Sequence, residues 1–310
     1  MTEDATGILV TGATGNVGAE VCRQLAARGR SAVAAVSPRR FCGTGDAADP
    51  VDAEVARVGA VLSSQLSACE VRPFDFTDSA TWAGALEGVG KVFLMRPPHI
   101  SKVRRDMVPF VESMADAGIK HVVFLSVQGA GSNKLVPHHK IEKAIEDLGI
   151  PYTFVRPSFF MQNLSTTHLS EVRDESRIYV PAGNGATNFI DVRDIGEVIA
   201  TTLLDNTHKN RAYTITGPQN HTYYDVADRL SRELGRPITY KPARFLPFIR
   251  YHLSRGRKPA HALVMFALYT VTRMGKAAGA TTTFEEIVGR PPRTLEDFIH
   301  GHREVFGVGA

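Results

Sequence analysis

Two stretches of the 310-residue chain hold residue types at spacings that could do chemistry. The first is Thr11-Gly12-Ala13-Thr14-Gly15-Asn16-Val17-Gly18, between the apolar run Gly7-Ile8-Leu9-Val10 and a helical pattern over 19–26. Strand, glycine turn, helix is the context of a dinucleotide-binding loop. Gly12 allows the tight turn, Gly15 lets the backbone approach a pyrophosphate, and Gly18 lets the helix pack on the strand. The helix N-terminus offers unpaired N–H groups and a positive dipole end to the phosphates. Gly12, Thr14, Gly15, Asn16, Val17 and Gly18 form this candidate cofactor loop. The second stretch is Val136-Pro137-His138-His139-Lys140-Ile141-Glu142-Lys143-Ala144-Ile145-Glu146. His138 and Glu142 lie four apart and share a helix face. A carboxylate beside an imidazole raises its pKa, which would make His138 a general acid. His139 and Lys143 share a face in the same way and form an alternative register.

These groups need elements to hold them. Ser31–Val36 reads as a second strand, with Ser37-Pro38-Arg39-Arg40 at its tip, where a doubly wound sheet meets the adenosine ribose. No acidic residue stands at that tip and two arginines follow, which favours a 2′-phosphate and hence NADP(H) over NAD(H). Residues 41–50 read as an insertion and 51–66 as a helix. Glu70–Phe76 reads as a third strand; Asp75 would lie beside the adenine, and Phe76 would line that pocket or pack. Asp78 caps a short helix over 79–86. Lys91–Met95 is a fourth strand, broken by Arg96-Pro97-Pro98 where the chain passes over the cofactor, so Met95, Arg96 and Pro97 join the cofactor set. A helix over 101–117 ends at Gly118. His121–Ser126 is a fifth strand with Ser126 at its tip, where it would orient a substrate or cap a loop. After a helix over 135–148, Pro151–Pro157 is a sixth strand, ending on the cofactor-side residue Pro157. Strands alternating with helices at this spacing mean a parallel sheet covered on both faces.

Beyond Pro157 the rhythm loosens. A helix begins at Phe159, short strands follow near 178–180 and 186–190, and helices open at Asp191 and Tyr223. A strand reads over 211–215, and the last stretch is mostly helical, ending with 294–305. Asp191 and Asp194 read as a helix cap and a first-turn charge; Tyr152, Tyr223 and Tyr224 read as packing residues. The expected architecture is an α/β Rossmann doubly wound parallel sheet in residues 1–157. A smaller, mostly helical substrate lobe occupies 158–310, with some elements returning to the main sheet. His99, Phe159 and Phe160 are candidate substrate residues in an apolar pocket.

Composition narrows the class. Hydrophobic residues make up 43% and charged residues 22% of the chain, which fits a globular enzyme, and a net charge of +4 with scattered basic residues asks for no nucleic acid. Arg255-Gly256-Arg257-Lys258 reads as a solvated loop. The three cysteines, Cys22, Cys42 and Cys69, have no metal-ligand or C-x-x-C spacing; no metal and no disulfide framework are expected, and a reducing cytoplasm is. The acidic start leads directly into the first strand, so no signal peptide is expected. The apolar stretch Ala260–Met274 is too short to span a bilayer and reads as a buried or partner-facing helix; no membrane partner is expected.

The glycine loop resembles the opening of the atypical short-chain dehydrogenase/reductases, in particular the NmrA-like group. Gly149-Ile150-Pro151-Tyr152-Thr153-Phe154-Val155-Arg156-Pro157-Ser158-Phe159-Phe160-Met161-Gln162-Asn163 is similar to that group's mid-chain signature. Phe189–Ile195 and Thr283–Thr294, with Gly289-Arg290-Pro291-Pro292-Arg293, fit its C-terminal half. The resemblance implies NAD(P) binding on a Rossmann fold. It covers quinone reductases, isoflavone-reductase relatives and non-catalytic redox-sensing regulators alike. Classical members carry Tyr-x-x-x-Lys on the helix after the fifth strand; here that helix has no tyrosine. Counting back from Gly149, His138 falls where reductase relatives keep a polar residue facing the cofactor. The resulting expectation is an NADPH-dependent reductase passing hydride to a quinone, enone or similar apolar, electron-poor acceptor, with His138, Glu142 and Ser126 as catalytic candidates. Acceptors of this kind need little proton donation in the hydride step. The other readings are an NAD(P)-binding redox-sensing regulator acting through a protein partner and, more remotely, a redox-neutral tailoring enzyme. The expected assembly is a monomer or homodimer.

Overall fold

The structure, a computed structural model, describes residues 7–37 and 69–307. The chain divides into two compact units, one of Met1–Pro157 with Ile195–Thr214, the other of Ser158–Asp194 with Ile215–Ala310.

The first unit is built on a seven-stranded sheet. Its strands are β1 (Gly7–Thr11), β2 (Val33–Val36), β3 (Glu70–Pro73), β4 (Val89–Met95), β5 (His121–Leu125), β6 (Tyr152–Pro157) and β10 (Arg211–Ile215), in the order β10-β6-β5-β4-β1-β2-β3. The pairs from β3 to β6 are parallel. Strands β1, β2, β4 and β5 are buried along nearly their whole length because helices cover both faces, which is why they read as continuous apolar runs. The chain order reverses between β1 and β4, and a doubly wound sheet places its ligand crevice at that point.

Two sequence expectations shift here. The third strand stops at Pro73, and Phe74 and Phe76 turn into an aromatic cluster with Phe110 and Trp82. The helix expected over 101–117 breaks at Met107 into Val103–Asp106 and Val108–Asp116, because Pro109 fits only a first helical turn. The helix 51–66 lies outside the described residues.

The second unit holds two small sheets. One is ordered β11-β9-β7, from β7 (Phe159–Phe160), β9 (Ala186–Ile190) and β11 (Asn220–Thr222); the other pairs β8 (Arg177–Ile178) with β12 (Thr239–Tyr240). Phe159 and Phe160 are therefore strand, paired with Phe189 and Ile190, and the helix begins only at Gln162. Helices Tyr223–Leu234 and Leu295–Gly301 each start with a capping box, Thr222 with Asp225 and Thr294 with Asp297. Their apolar sides join a core that includes Phe189, Tyr223, Phe248, Tyr269 and Phe298. Asp191 and Asp194 are fully buried. Asp191 accepts the Arg193 backbone N–H at 2.8 Å and its guanidinium; Asp194 is held by Arg290 at 2.8 Å and by Arg293. The Gly289–Arg293 signature thus serves to neutralise a buried carboxylate.

Candidate functional site: the strand tips of the first unit

The glycine loop follows β1 directly. Gly12 has φ +63°, and a Cβ there would stand 2.9 Å from the Met95 side chain. A Cβ on Gly18 would stand 2.1 Å from the Gly12 carbonyl oxygen, so only glycine lets the helix Asn16–Ala27 lie against the loop. Gly15 is the N-cap residue, exposed, with extended backbone and no side-chain cap. The first N–H groups of this helix therefore lack an intrahelical or capping acceptor. Thr14 is half-buried, Asn16 exposed and Val17 buried.

Thr11 opens the motif without a role in the candidate cofactor set, yet it secures the switch point. Its hydroxyl donates to the Phe93 carbonyl at 2.9 Å and accepts the Met95 N–H at 3.0 Å. The register of β1 with β4 ends at Val10 and Phe93, so this side chain bridges the strands where their backbones part.

Beyond that stitch lie the tips of β4, β5 and β6. Ser126 N–H donates to Val155 and Gln128 N–H to Pro157, at 2.8 and 3.1 Å. The Ser126 hydroxyl is buried and has no partner, so it caps no loop. Arg96 is half-buried; its Nη1 donates to the carbonyls of Pro97 and Ile100, while its Nε is buried without a partner. Residues 95 and 125 pair across β4 and β5, so Arg96 and Ser126 stand on adjacent tips. Orphaned buried polar groups are rare in folded proteins and are met by water, ions or ligands. The uncapped helix end and these two orphans fit an anionic, hydroxyl-bearing dinucleotide.

His138 sits in the first turn of the helix Pro137–Asp147, half-buried, its ring 6.0 Å from that of Phe124. The expected His138–Glu142 pair does not form. Glu142 accepts two hydrogen bonds from Arg156, at 2.9 and 2.7 Å. Burial and then the nearby Arg96 charge pull the His138 pKa down to about 4. The expected imidazolium is thus corrected to a neutral ring at neutral pH, because the one carboxylate on its face is spent on a guanidinium. His139 follows the other register differently from expectation: its Nδ1 meets the Ala130 carbonyl at 2.8 Å, and Lys143 turns to Asp147 at 2.8 Å and Glu146 at 3.6 Å.

The remaining candidates separate. Ser37 is half-buried at the tip of β2. The Asp75 carboxylate accepts the Thr77 N–H and hydroxyl, an Asx-type turn at the sheet edge. Phe76 is 7% exposed and packs in the aromatic cluster of the core. Pro157 is buried at the end of β6, and Pro97 and His99 follow β4 with His99 exposed. Phe159 and Phe160, in the second unit, are half-buried. Tyr152 stacks on Phe154 at 4.1 Å, Tyr223 is buried, and Tyr224 packs on Tyr240. Arg39 and Arg40 lie outside the described residues. Among the described residues no group of His, Cys, Asp and Glu could hold a metal ion. No helix among them is long and apolar enough to cross a membrane.

Arg156 lies within the mid-chain signature but is not among the candidate site residues. It lies on β6 and supplies the counter-charge for Glu142, which a lone arginine inside an apolar strand could have signalled. In the second unit His168 and Glu171, both 1% exposed, face each other at 3.5 Å, and His168 Nε2 meets the Tyr269 hydroxyl at 2.5 Å. Their helical spacing was legible, but not their burial.

Known proteins resemble this chain in sequence and fold. The chain is 31% identical to the NAD(P)H azoreductase of Xenophilus azovorans over 307 residues, covering 97% of this chain and 99% of that protein. It is 30% identical to the Prestalk A differentiation protein A of Dictyostelium discoideum, covering 96% and 93%. Among solved structures, the Citrobacter sp. triphenylmethane reductase complexed with NADP(H) superposes with a TM-score of 0.77 at 23% identity, covering 95% of this chain and 99% of that one. The NADPH-dependent quinone oxidoreductase of Escherichia coli complexed with NADPH gives 0.77 at 21%, with the same coverage. The NmrA-like family profile matches residues 4–265, and the chain belongs to that family.

Proposed function

We propose that this protein is an NADPH-dependent reductase of apolar, electron-poor acceptors such as quinones, enones or azo compounds. The observation that carries the reading is the open N-terminus of the helix Asn16–Ala27 beneath Gly12, Gly15 and Gly18. The azoreductase, triphenylmethane reductase and quinone oxidoreductase relatives support the reaction class, and those with bound NADP(H) support the cofactor.

The chain's own residues then divide the work. The loop from Gly12 to Gly18 takes the pyrophosphate on backbone N–H groups. Ser37, Arg39 and Arg40 take the adenosine ribose and its 2′-phosphate, and Asp75 borders the adenine. Ser126 and Arg96, with Met95, Pro97 and Pro157 around them, hold the ribose and ring at the other end. Bound NADPH supplies the hydride. Neutral His138 donates a ring N–H hydrogen bond to the acceptor oxygen or nitrogen on which charge develops, and water supplies the proton that completes the product. A quinone or azo group takes the hydride with little prior protonation, so Tyr-x-x-x-Lys is dispensable.

The test is the oxidation of NADPH, followed by its absorbance, with a panel of quinones, enones and azo dyes. Turnover with at least one class is expected. Tight NADPH binding with no oxidation by any acceptor would overturn the reductase reading in favour of a redox-sensing regulator.

A further inference from the structure

The helix Pro259–Arg273 of the second unit buries Ala262, Met265, Tyr269 and Thr272 and leaves its opposite side uncovered. Leu263, Val264, Leu268 and Val271 are between 42% and 57% exposed, and Met274, just past the helix, is 59% exposed. At 3.6 residues per turn, Ala260, Leu263, Val264, Ala267 and Val271 face away from the buried stripe, with no charge among them. A helix on the surface of a globular protein presents polar residues there. Single exposed apolar side chains are ordinary, but a continuous stripe about 17 Å long marks a contact surface. The neighbouring helix Phe245–Leu253 packs on it through Phe245 and Phe266, ring centroids 4.8 Å apart, and leaves Phe245 and Leu246 exposed as well.

Charge selects the occupant. Between Glu233 and Glu285 the chain has no aspartate or glutamate, whereas Lys241, Arg244, Arg250, Lys258, Arg273 and Lys276 are all exposed. Lys258 precedes the apolar helix; Arg273 and Lys276 close it. Glu175, which reaches this region, is already held by Arg177 and Arg255. Two copies meeting through this face would bring like cations together. An anionic bilayer instead accepts the apolar stripe at the acyl boundary and the cations among its headgroups. An open cleft of about 580 Å³ beside Leu246, lined by Arg177, Arg250, Tyr251 and Ser254, offers room and charge for a headgroup phosphate.

We propose that the helix Pro259–Arg273 and its basic flanks dock this protein on anionic lipid surfaces. Such docking lies in the plane of the interface and needs no spanning length. Co-sedimentation of the full chain with vesicles tests it, using pure phosphatidylcholine against an equal mixture with phosphatidylglycerol. Binding to the mixed vesicles is expected, weakened by salt and about tenfold or more weaker on phosphatidylcholine alone. A Val264→Glu/Leu268→Glu variant and, separately, a Lys258→Glu/Lys276→Glu variant should each lose about tenfold in partitioning while keeping the parent's circular dichroism. No binding to the mixed vesicles, or binding by either variant undiminished from the parent's, overturns the proposal. So does a dimer abolished by Val264→Glu/Leu268→Glu without vesicle binding, which gives the face to a second copy. Binding to polyglutamate but not to vesicles assigns it to an acidic protein and overturns the proposal as well.

Discussion

Glu142 and Arg156 face each other across the helix Pro137–Asp147 and strand β6 in a two-point ion pair, Nε to Oε1 at 2.9 Å and Nη2 to Oε2 at 2.7 Å. Glu142 is 3% exposed, so its charge is compensated almost entirely by this guanidinium. The pair ties the helix that carries His138 to the sheet, and it leaves the imidazole without a carboxylate.

Breaking the pair should therefore affect stability more than chemistry. Glu142→Gln removes the charge and leaves Arg156, which is partly solvated, unpaired. A loss of about 1–3 kcal/mol is expected by thermal or urea unfolding. The pH profile of turnover should stay where it is, because Glu142 does not set the His138 pKa. A shifted profile would restore the His138–Glu142 couple.

His138→Ala should slow turnover about tenfold to a hundredfold while NADPH affinity is kept, since the ring acts on the acceptor side. In the parent protein the inflection due to His138 belongs near pH 4, with none from this group near neutrality. Measured kcat against pH, parent beside variant, checks both. Unchanged turnover would move the role to solvent.

Gly15 and Gly18 should fail in different ways. Gly18→Ala drives a Cβ into the Gly12 carbonyl, and a loss of about 1–3 kcal/mol in folding stability is expected. Gly15→Ala meets only the Gly12 carbonyl oxygen, at 3.3 Å, on an otherwise open side, so the fold should persist. NADPH affinity should then fall about tenfold or more, because the methyl group occupies the pyrophosphate's approach. Calorimetric unfolding and NADPH titration on the two variants separate these outcomes.

Double replacement Arg39→Ala/Arg40→Ala should weaken NADPH by about tenfold or more and leave NADH nearly unchanged. Equal losses for both nucleotides, measured by fluorescence titration, would show that neither arginine reads the 2′-phosphate.

Acid should destabilise the protein through its buried histidines. Burial, as the first cause, lowers His121 to about 3 and His138 and His252 to about 4. The unfolded chain binds these protons near pH 6.5 and the folded one does not. Their contribution to stability is therefore complete above pH 6.5 and is lost as pH falls toward 4. The slope approaches about 1.4 kcal/mol per pH unit for each such group. Unfolding midpoints measured between pH 7 and pH 4.5 should fall steadily; a flat series would show that these rings accept protons without cost.

Much of this protein is legible in its sequence alone. The run from Gly7 to Ala27 announces strand, glycine loop and helix, because each needs a local pattern: buried β-residues, small residues at a tight turn, a helical period. Alternating strands through Pro157 imply the parallel sheet, and the helical pattern from Tyr223 marks a helix in the second unit. Tertiary structure decided what depends on partners far apart in the chain. Helical spacing placed Glu142 beside His138, but Arg156, fourteen residues later on β6, claims the carboxylate. The sequence left Phe76 open between lining a pocket and packing, and Phe74, Phe110 and Trp82 close around it. Thr11 opens the glycine motif in the sequence, but only the fold gives its hydroxyl two partners, at Phe93 and Met95. Local pattern selects an element's type, whereas charge pairing, burial and the pKa of a ring are set by neighbours that only the folded chain brings within reach.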